Sequence, residues 1–250
     1  MSKIPTAAAV LILFCSLVSS LRAAEPLRII CIGDSITEGF KNTKDPEDQS
    51  GFPSYRKFLW DLLTEKKVEF DFIGTQNGCC YNQKPLGFGQ WDMDHQSYSG
   101  ATSEFVLRGN PKVEKSSLED RLQKLSVPDL ALIHLGTNDL DKVPAQTTIA
   151  NLHGIIDVLR ARNPRITIFL AQIIPMWRQG IPELNQAIAA LGKEASTTQS
   201  PVFIVDQHTG FDSTKGVDTY DGVHPNQQGQ QKMATRWYQA LDPYLKARSR

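Results

Sequence analysis

The chain has 250 residues, of which 27 are Lys or Arg and 27 are Asp or Glu, and 40% of its residues are hydrophobic. This length and hydrophobic content suffice to bury a core, which excludes a disordered chain, and the balanced charge excludes a polycationic nucleic-acid binder. The 17 Gly, 14 Pro and 22% charged residues are ordinary usage, so collagen, coiled-coil and low-complexity classes are excluded as well.

Residues 1–23 have the pattern of a secretory signal peptide. Lys3 gives a basic start, residues 7–18 form an apolar run, and small residues surround position 23. The run is shorter than the about 20 residues of a spanning helix, so we expect cleavage and no membrane partner afterwards, with a retained membrane anchor as the weaker alternative. Cleavage would remove Lys3 and Arg22 but no acidic residue, leaving a faintly acidic chain with no attraction for nucleic acid. We therefore expect a secreted or periplasmic protein.

Residues 24–250 are expected to form one α/β domain. Short apolar runs rich in β-branched residues predict five strands, at residues 27–32, 69–73, 130–135, 167–172 and 202–206. Helical spacing predicts helices at residues 55–66, 149–162, 182–198 and 226–245. This alternation is typical of a five-stranded, parallel, doubly wound sheet with helices on both faces. Residues 75–111 show no clear period and predict a long functional loop.

Three cysteines follow the signal peptide, in a chain that we expect to reach an oxidising compartment. Cys31 lies in the first apolar run and is interpreted as a small buried hydrophobic residue. Cys79 and Cys80 are adjacent, and their redox state is left open. The chain has no CxxC and no HExxH motif, so we expect neither a metal nor another cofactor.

Chemically active residue types follow the first and third predicted strands and precede the last predicted helix. They lie in the blocks 33–39, 136–139 and 221–225. Active groups of α/β sheets gather at the carboxyl ends of the strands, so we expect these blocks to meet. A serine hydroxyl becomes nucleophilic when a histidine takes its proton, and a carboxylate fixes the histidine tautomer. We predict Ser35 as nucleophile, His224 as base and Asp221 as the orienting carboxylate.

Attack by a serine creates an oxyanion that needs preorganised donors. The backbone N–H of Ser35, at a helix start, is one candidate, and the side-chain amide of Asn138 is a second. A third is the backbone N–H of Gly100, which has no side chain in the way.

Four side chains are candidate substrate contacts. Trp91, Tyr98 and Trp177 lie in predicted loops, where sugar rings could pack against their apolar faces, and His95 lies near Gly100. For each of them, burial beneath the loops is an equally good expectation. Asp34 and Asp139 flank the chemical residues and are expected to support the loops by hydrogen bonding.

These blocks resemble the Ser-Gly-Asn-His (SGNH or GDSL) hydrolases. The resemblance spans the mature chain and implies that Ser35 is the nucleophile, Gly100 and Asn138 are oxyanion donors, and Asp221 and His224 complete the triad. Further residues that flank these blocks narrow the match; they are Asp94-His95, Ile173-Ile174-Pro175, residues 221–226, Gly229 and residues 232–234. These flanking residues resemble those of carbohydrate esterase family three, the acetylxylan esterases. This resemblance implies a three-layer α/β/α sandwich with a flavodoxin-like sheet.

Together, residues and resemblance predict a secreted serine esterase that removes O-acetyl groups from carbohydrate through an acyl-enzyme. The expected partner is an acetylated polysaccharide or oligosaccharide, with no cofactor, and the oligomeric state is left open. Two alternatives remain. A lipid or thioester hydrolase of the same superfamily would need an extended apolar acyl groove, and a noncatalytic relative would bind carbohydrate without turnover.

Overall fold

The computed structural model describes residues 25–39, 53–79 and 87–248. The predicted signal peptide at residues 1–23 and Cys80 lie outside these ranges. None of the helices in the described ranges is both long enough and apolar enough to cross a bilayer.

Seven strands among the described residues form the central sheet. They are β1 (Leu27–Gly33), β2 (Phe70–Ile73), β3 (Gln76–Asn77), β4 (Asp94–Ser97), β5 (Leu130–His134), β6 (Thr167–Gln172) and β7 (Val202–Asp206). The long strands consist of apolar and β-branched residues that pack on both faces of the sheet. In β5, for example, Leu130 and Leu132 belong to one hydrophobic cluster, whereas Ala131 and Ile133 belong to the other. This two-sided burial is typical of a parallel sheet covered by two helical layers.

Strand β1 lies in the middle of the sheet. On one side it pairs in parallel with β5, which is followed by β6 and then β7. On the other side it pairs first with β2, where Ile30 opposes Ile73, and then with β4, where Ile32 opposes Gln96. Strand β3 is antiparallel to β4. The long strands therefore run in the order β2-β1-β5-β6-β7, which confirms the predicted doubly wound, flavodoxin-like sheet.

Helices cover both faces of this sheet. The described helices are α1 (Ser35–Glu38), α2 (Ser54–Glu65), α3 (Ser103–Arg108), α4 (Leu118–Gln123), α5 (Ala145–Arg162), α6 (Ile181–Ala195) and α7 (Gln227–Arg248). Helices α2 and α7 pack against each other and share one hydrophobic cluster. Helices α3 to α6 contribute to the cluster on the opposite face, so the fold is a three-layer α/β/α sandwich.

The strand count differs from the sequence-based expectation of five. The additional strands β3 and β4 and helix α3 all lie within residues 75–111, which were predicted as a loop. Strand β4 has the sequence Asp-His-Gln-Ser and lacks the alternation of apolar residues that marks a strand. Gln96 of this strand is held by hydrogen bonds instead. Gln96 Oε1 accepts from the Thr75 N–H at 3.2 Å, and Gln96 Nε2 donates to the Tyr98 hydroxyl at 2.8 Å.

Candidate active site

Ser35 lies where β1 turns directly into helix α1. Asp34 caps this helix, because its Oδ1 accepts a hydrogen bond of 2.9 Å from the Ile36 N–H. The turn is tight enough to require glycine at position 33, where a Cβ atom would lie 2.2 Å from Thr37 Oγ1 and 2.6 Å from the His134 carbonyl oxygen. Ser35 is thus held as the first residue of α1, at the carboxyl end of the central strand.

The structure brings Ser35, His224 and Asp221 into one hydrogen-bonded chain. Ser35 Oγ is 2.9 Å from His224 Nε2, and His224 Nδ1 is 2.7 Å from Asp221 Oδ2. Partial burial acts to raise the pKa of Asp221, but hydrogen bonds from His224 and Val223 outweigh it and hold the pKa below its usual value. Asp221 is therefore an ionised acceptor, so Nδ1 of His224 carries the proton and Nε2 accepts from the Ser35 hydroxyl.

The loop that carries Asp221 and His224 is anchored to helix α7. Asp218 has a fully buried side chain that forms an ion pair with Lys232 of α7, and its backbone oxygen accepts from the Asn226 N–H at 2.9 Å. The Tyr220 ring stacks on the His224 imidazole with a centroid distance of 5.7 Å. These contacts fix the imidazole in place beside Ser35.

Gly100 and Asn138 meet at the same edge of the sheet. Gly100 has a φ of +75°, and a Cβ atom there would meet no atom within 4 Å, so backbone conformation rather than crowding favours glycine at this position. One hydrogen of the Asn138 side-chain amide is donated to the Ala101 carbonyl at 3.1 Å. This bond uses one of the two amide hydrogens of Asn138 and joins Asn138 to the residue that follows Gly100.

A buried carboxylate, which the sequence analysis did not single out, connects the Ser35 helix to the Gly100 turn. Glu38 ends α1, and its Oε2 accepts a hydrogen bond of 2.6 Å from Ser99 Oγ. The backbone carbonyls of Thr37 and Glu38 accept in turn from the buried guanidinium of Arg56, at 2.8 and 3.0 Å. Glu38 stands three residues after Ser35 in the same short helix, and this spacing is the one sequence signal that could have suggested its place.

Asp34 and Asp139 hold the surrounding loops. Asp139 accepts from the Ser103 N–H at 2.9 Å and from the Ser103 hydroxyl, joining the end of β5 to helix α3. Burial raises the pKa of Asp34 to about 6, although the hydrogen bond from the Ile36 N–H acts to lower it. Both carboxylates thus accept hydrogen bonds from backbone or hydroxyl groups of the loops.

Three of the four candidate substrate contacts point into the interior. The exposed fractions are 1% for His95, 8% for Trp91 and 6% for Tyr98. Trp91 packs beneath the Arg56 guanidinium, 5.2 Å from its ring centroid, and the Tyr98 ring lies 5.1 Å from that of Phe105. Burial and the charge of Arg56 hold the pKa of His95 well below its usual range. These three side chains are almost fully buried, which agrees with the alternative expectation of burial; His95 lies in β4, and Trp91 and Tyr98 lie on either side of it.

Trp177 is placed differently, with 71% of its surface exposed. A Cβ atom added at Gly222 would lie 3.7 Å from Trp177 Cδ1. The indole therefore lies against the loop that carries Asp221 and His224. Of the four candidates, Trp177 alone lies at the surface and beside the triad.

The described cysteines are buried thiols. Cys31 and Cys79 are both free, and burial raises their pKa values to about 12 and about 11. They are therefore protonated and poor nucleophiles at neutral pH. No group of three or more His, Cys, Asp or Glu residues within the described ranges is arranged to hold a metal ion.

Comparison with known proteins gives consistent matches. Residues 31–232 match the model of the GDSL-like Lipase/Acylhydrolase family. A multidomain esterase from Ruminococcus flavefaciens is 30% identical over 242 residues, which cover 90% of this chain. The match covers 30% of that esterase, so the chain spans about a third of the relative's length.

Two solved structures share the fold over nearly their whole length. An acetyl esterase variant, solved with an acetate ion, is 28% identical and superposes with a TM-score of 0.71 over 88% of this chain and 99% of its own. A carbohydrate esterase of family 3 from Talaromyces cellulolyticus gives the same identity, coverage and TM-score.

Proposed function

Because the chain belongs to the GDSL-like lipase/acylhydrolase family, we propose that it is a serine-dependent carboxylic ester hydrolase. The observation that carries this proposal is the hydrogen-bonded chain from Ser35 to His224 to Asp221, with distances of 2.9 and 2.7 Å. This is the arrangement needed to remove the proton from a serine hydroxyl while it attacks a carbonyl carbon.

The proposed cycle has two stages. Ser35 Oγ attacks the acyl carbonyl while its proton passes to His224 Nε2, and the carbonyl oxygen becomes an oxyanion. The Ser35 N–H, the Gly100 N–H and the free amide hydrogen of Asn138 stabilise that oxyanion. When the tetrahedral intermediate collapses, His224 gives the proton to the departing alcohol, leaving an acyl-Ser35. Water then attacks the acyl-enzyme with His224 again as base, and the acid and free Ser35 are released.

We propose the O-acetyl groups of carbohydrate as substrate. The proposal is supported by the two solved structures of about 28% identity, one an acetyl esterase with acetate and the other a carbohydrate esterase. The alcohol released would be a sugar hydroxyl, and the acid would be acetate.

Export from the cell is part of the same proposal. It rests on the basic start, apolar run and small residues of residues 1–23. Intact-mass measurement of protein recovered from the periplasm or the medium is expected to show the loss of about 23 residues, and a full-length mass would contradict export by cleavage.

Acetate release from acetylated xylan tests the proposed function, with Ser35→Ala as the matched blank. Serine-dependent release would support both the mechanism and the sugar substrate. Serine-dependent hydrolysis of small esters without release of acetate from acetylated glycans would support the mechanism and contradict the proposed carbohydrate substrate. Wild-type turnover by Ser35→Ala would overturn the mechanism.

A further inference from the structure

Trp177 has no role in the hydrophobic core. With 71% of its surface exposed, it lies at the rim of the site against Gly222, in the loop that carries the triad residues Asp221 and His224. Because this ring lies beside the triad and is open to solvent, it presents an apolar face on which a sugar ring can pack.

Arg178 fixes the position of this ring. Its guanidinium carbon lies 5.3 Å from the centre of the Trp177 ring, a cation–π distance. Its Nη1 donates to the Thr137 carbonyl at 3.2 Å, and its Nε lies 3.9 Å from a carboxylate oxygen of Asp141. Trp177 is therefore held between the loop of Asn138 and the loop of His224, which lowers the cost of ordering it on binding.

A groove of about 460 Å³ lies between the β5–α5 and β6–α6 connections, and its lining includes Asp141, the ion-pair partner of Arg178, and Gln179, which follows Arg178 in the chain. Its volume falls in the range of roughly 300–1,000 Å³ that is typical of small-molecule sites. The lining contains polar groups suited to sugar hydroxyls, among them Asp141, Gln179 and Glu183. Because Asp141 is paired with Arg178, Glu183 is the carboxylate of this lining that would repel an anionic ligand.

We propose that Trp177 is the stacking platform for a sugar ring next to the acetylated unit, and that the groove binds the following unit of a neutral oligosaccharide. This inference rests on the proposed function and makes it more specific. The enzyme then distinguishes oligosaccharides from isolated acetyl esters, and neutral chains from chains with uronic acids, through residues outside the triad.

The test compares the wild type with Trp177→Ala, Trp177→Phe and Phe203→Ala. Phe203 is an exposed aromatic, 45% accessible, on edge strand β7, and serves as the matched control. The measured quantity is kcat/KM for partially acetylated xylotetraose divided by kcat/KM for phenyl acetate. We expect this ratio to fall about tenfold in Trp177→Ala, mainly through KM, because a stacking contact is lost. The ratio for Trp177→Phe should lie between those of Trp177→Ala and the wild type, and the ratio for Phe203→Ala should equal that of the wild type.

An unchanged ratio in Trp177→Ala, or an equal loss on both substrates, would overturn the proposal. Calorimetry with unsubstituted xylotetraose tests the stacking platform separately from the proposed esterase function, since this ligand can bind without having an ester. If the wild type releases no acetate from the oligosaccharide, the sugar esterase function fails. Binding of xylotetraose that is lost in Trp177→Ala would still support the platform, and absence of binding in the wild type would overturn it.

The charge of the groove gives a second readout. Xylotetraose that carries a glucuronic acid should bind more weakly than the neutral chain. Glu183→Gln removes a negative charge from the groove and should reduce the difference in affinity between the two ligands. Equal binding of the two ligands by the wild type would contradict the proposed selectivity for neutral chains.

Discussion

Ser99 Oγ donates a hydrogen bond of 2.6 Å to Glu38 Oε2, which joins the last residue of the helix begun by Ser35 to the turn that contains Gly100. This contact, together with the pairing of Gly33 with Ser97 in the sheet, positions the nucleophile against a proposed oxyanion donor. The donor must meet the oxyanion rather than the planar carbonyl of the substrate, so a small shift of the turn acts on the transition state more than on binding.

We expect Ser99→Ala to lower kcat about tenfold while KM stays within about twofold, because the Gly100 N–H loses its fixed position. Ser99→Thr retains the hydroxyl and should retain most of the activity. Steady-state kinetics on a small acetyl ester measure both constants. A Ser99→Ala enzyme with wild-type kcat would show that the turn is fixed without this bond.

Asp221→Asn should fold normally and lose activity by a factor on the order of 10⁴, because an amide favours the wrong tautomer of His224. The pKa of Asp221 is held below its usual value, so the wild-type carboxylate remains ionised wherever His224 acts as base. Kinetics and thermal unfolding, measured on the same preparation, test both parts. Near-wild-type turnover would mean that another group orients the imidazole.

Asn138→Ala should lower kcat about 10²–10³-fold, the usual cost of removing one oxyanion donor. The Ala101 carbonyl also loses its partner, so the melting temperature reports separately on the fold. If activity falls only in proportion to the folded fraction of the protein, Asn138 holds the Gly100 turn and does not contact the oxyanion.

Stability should fall in acid because of His134, which is fully buried on β5. Burial lowers its pKa from the ordinary 6.5 to about 4. Between these values the unfolded chain binds a proton that the folded protein does not, so the free energy of unfolding decreases as pH falls from about 6.5 to about 4. The full contribution is about 3 kcal/mol at 1.36 kcal/mol for each pKa unit.

Urea unfolding at pH 7 and pH 4.5 measures this effect. His134→Gln should show a smaller loss of stability between the two pH values than the wild type. His153→Gln, which removes an exposed histidine of helix α5, is the matched control and should behave as the wild type. Equal losses in the wild type and in His134→Gln would contradict the assignment.

The sequence predicted those parts of the fold that depend on apolar patterning. The strands β6 and β7 were predicted with their observed bounds, and β1 and β5 within one residue of each end, because continuous apolar runs mark strands buried on both faces. Strand β4 could not be predicted, since its residues are polar and Gln96 is stabilised by hydrogen bonds, one of them from Thr75, which stands 21 residues earlier in the chain.

The site was predictable to the extent that residue type implies chemistry. Ser35, Asp221 and His224 were chosen from their types and from the strand ends that they follow, and the structure brings them together. The orientation of Trp91 and Tyr98 could not be predicted in this way, because it depends on Arg56 and on the return of the chain as β4. Glu38 and Ser99 stand 61 residues apart, and only the folded chain shows their contact.

Strands β2 and β4 lie end to end along the same side of β1, and β3, which stands between them in the chain, pairs with β4. At this junction Gly74 touches the backbone of His95, where a Cβ atom would lie 1.9 Å from the carbonyl oxygen. The described residues on both sides of positions 80–86 are thereby tied to the sheet, so a change in the number of residues at these positions would cost a loop entropy that grows only slowly with length. The fold can therefore accept insertions or deletions there without moving the strand that positions Ser35.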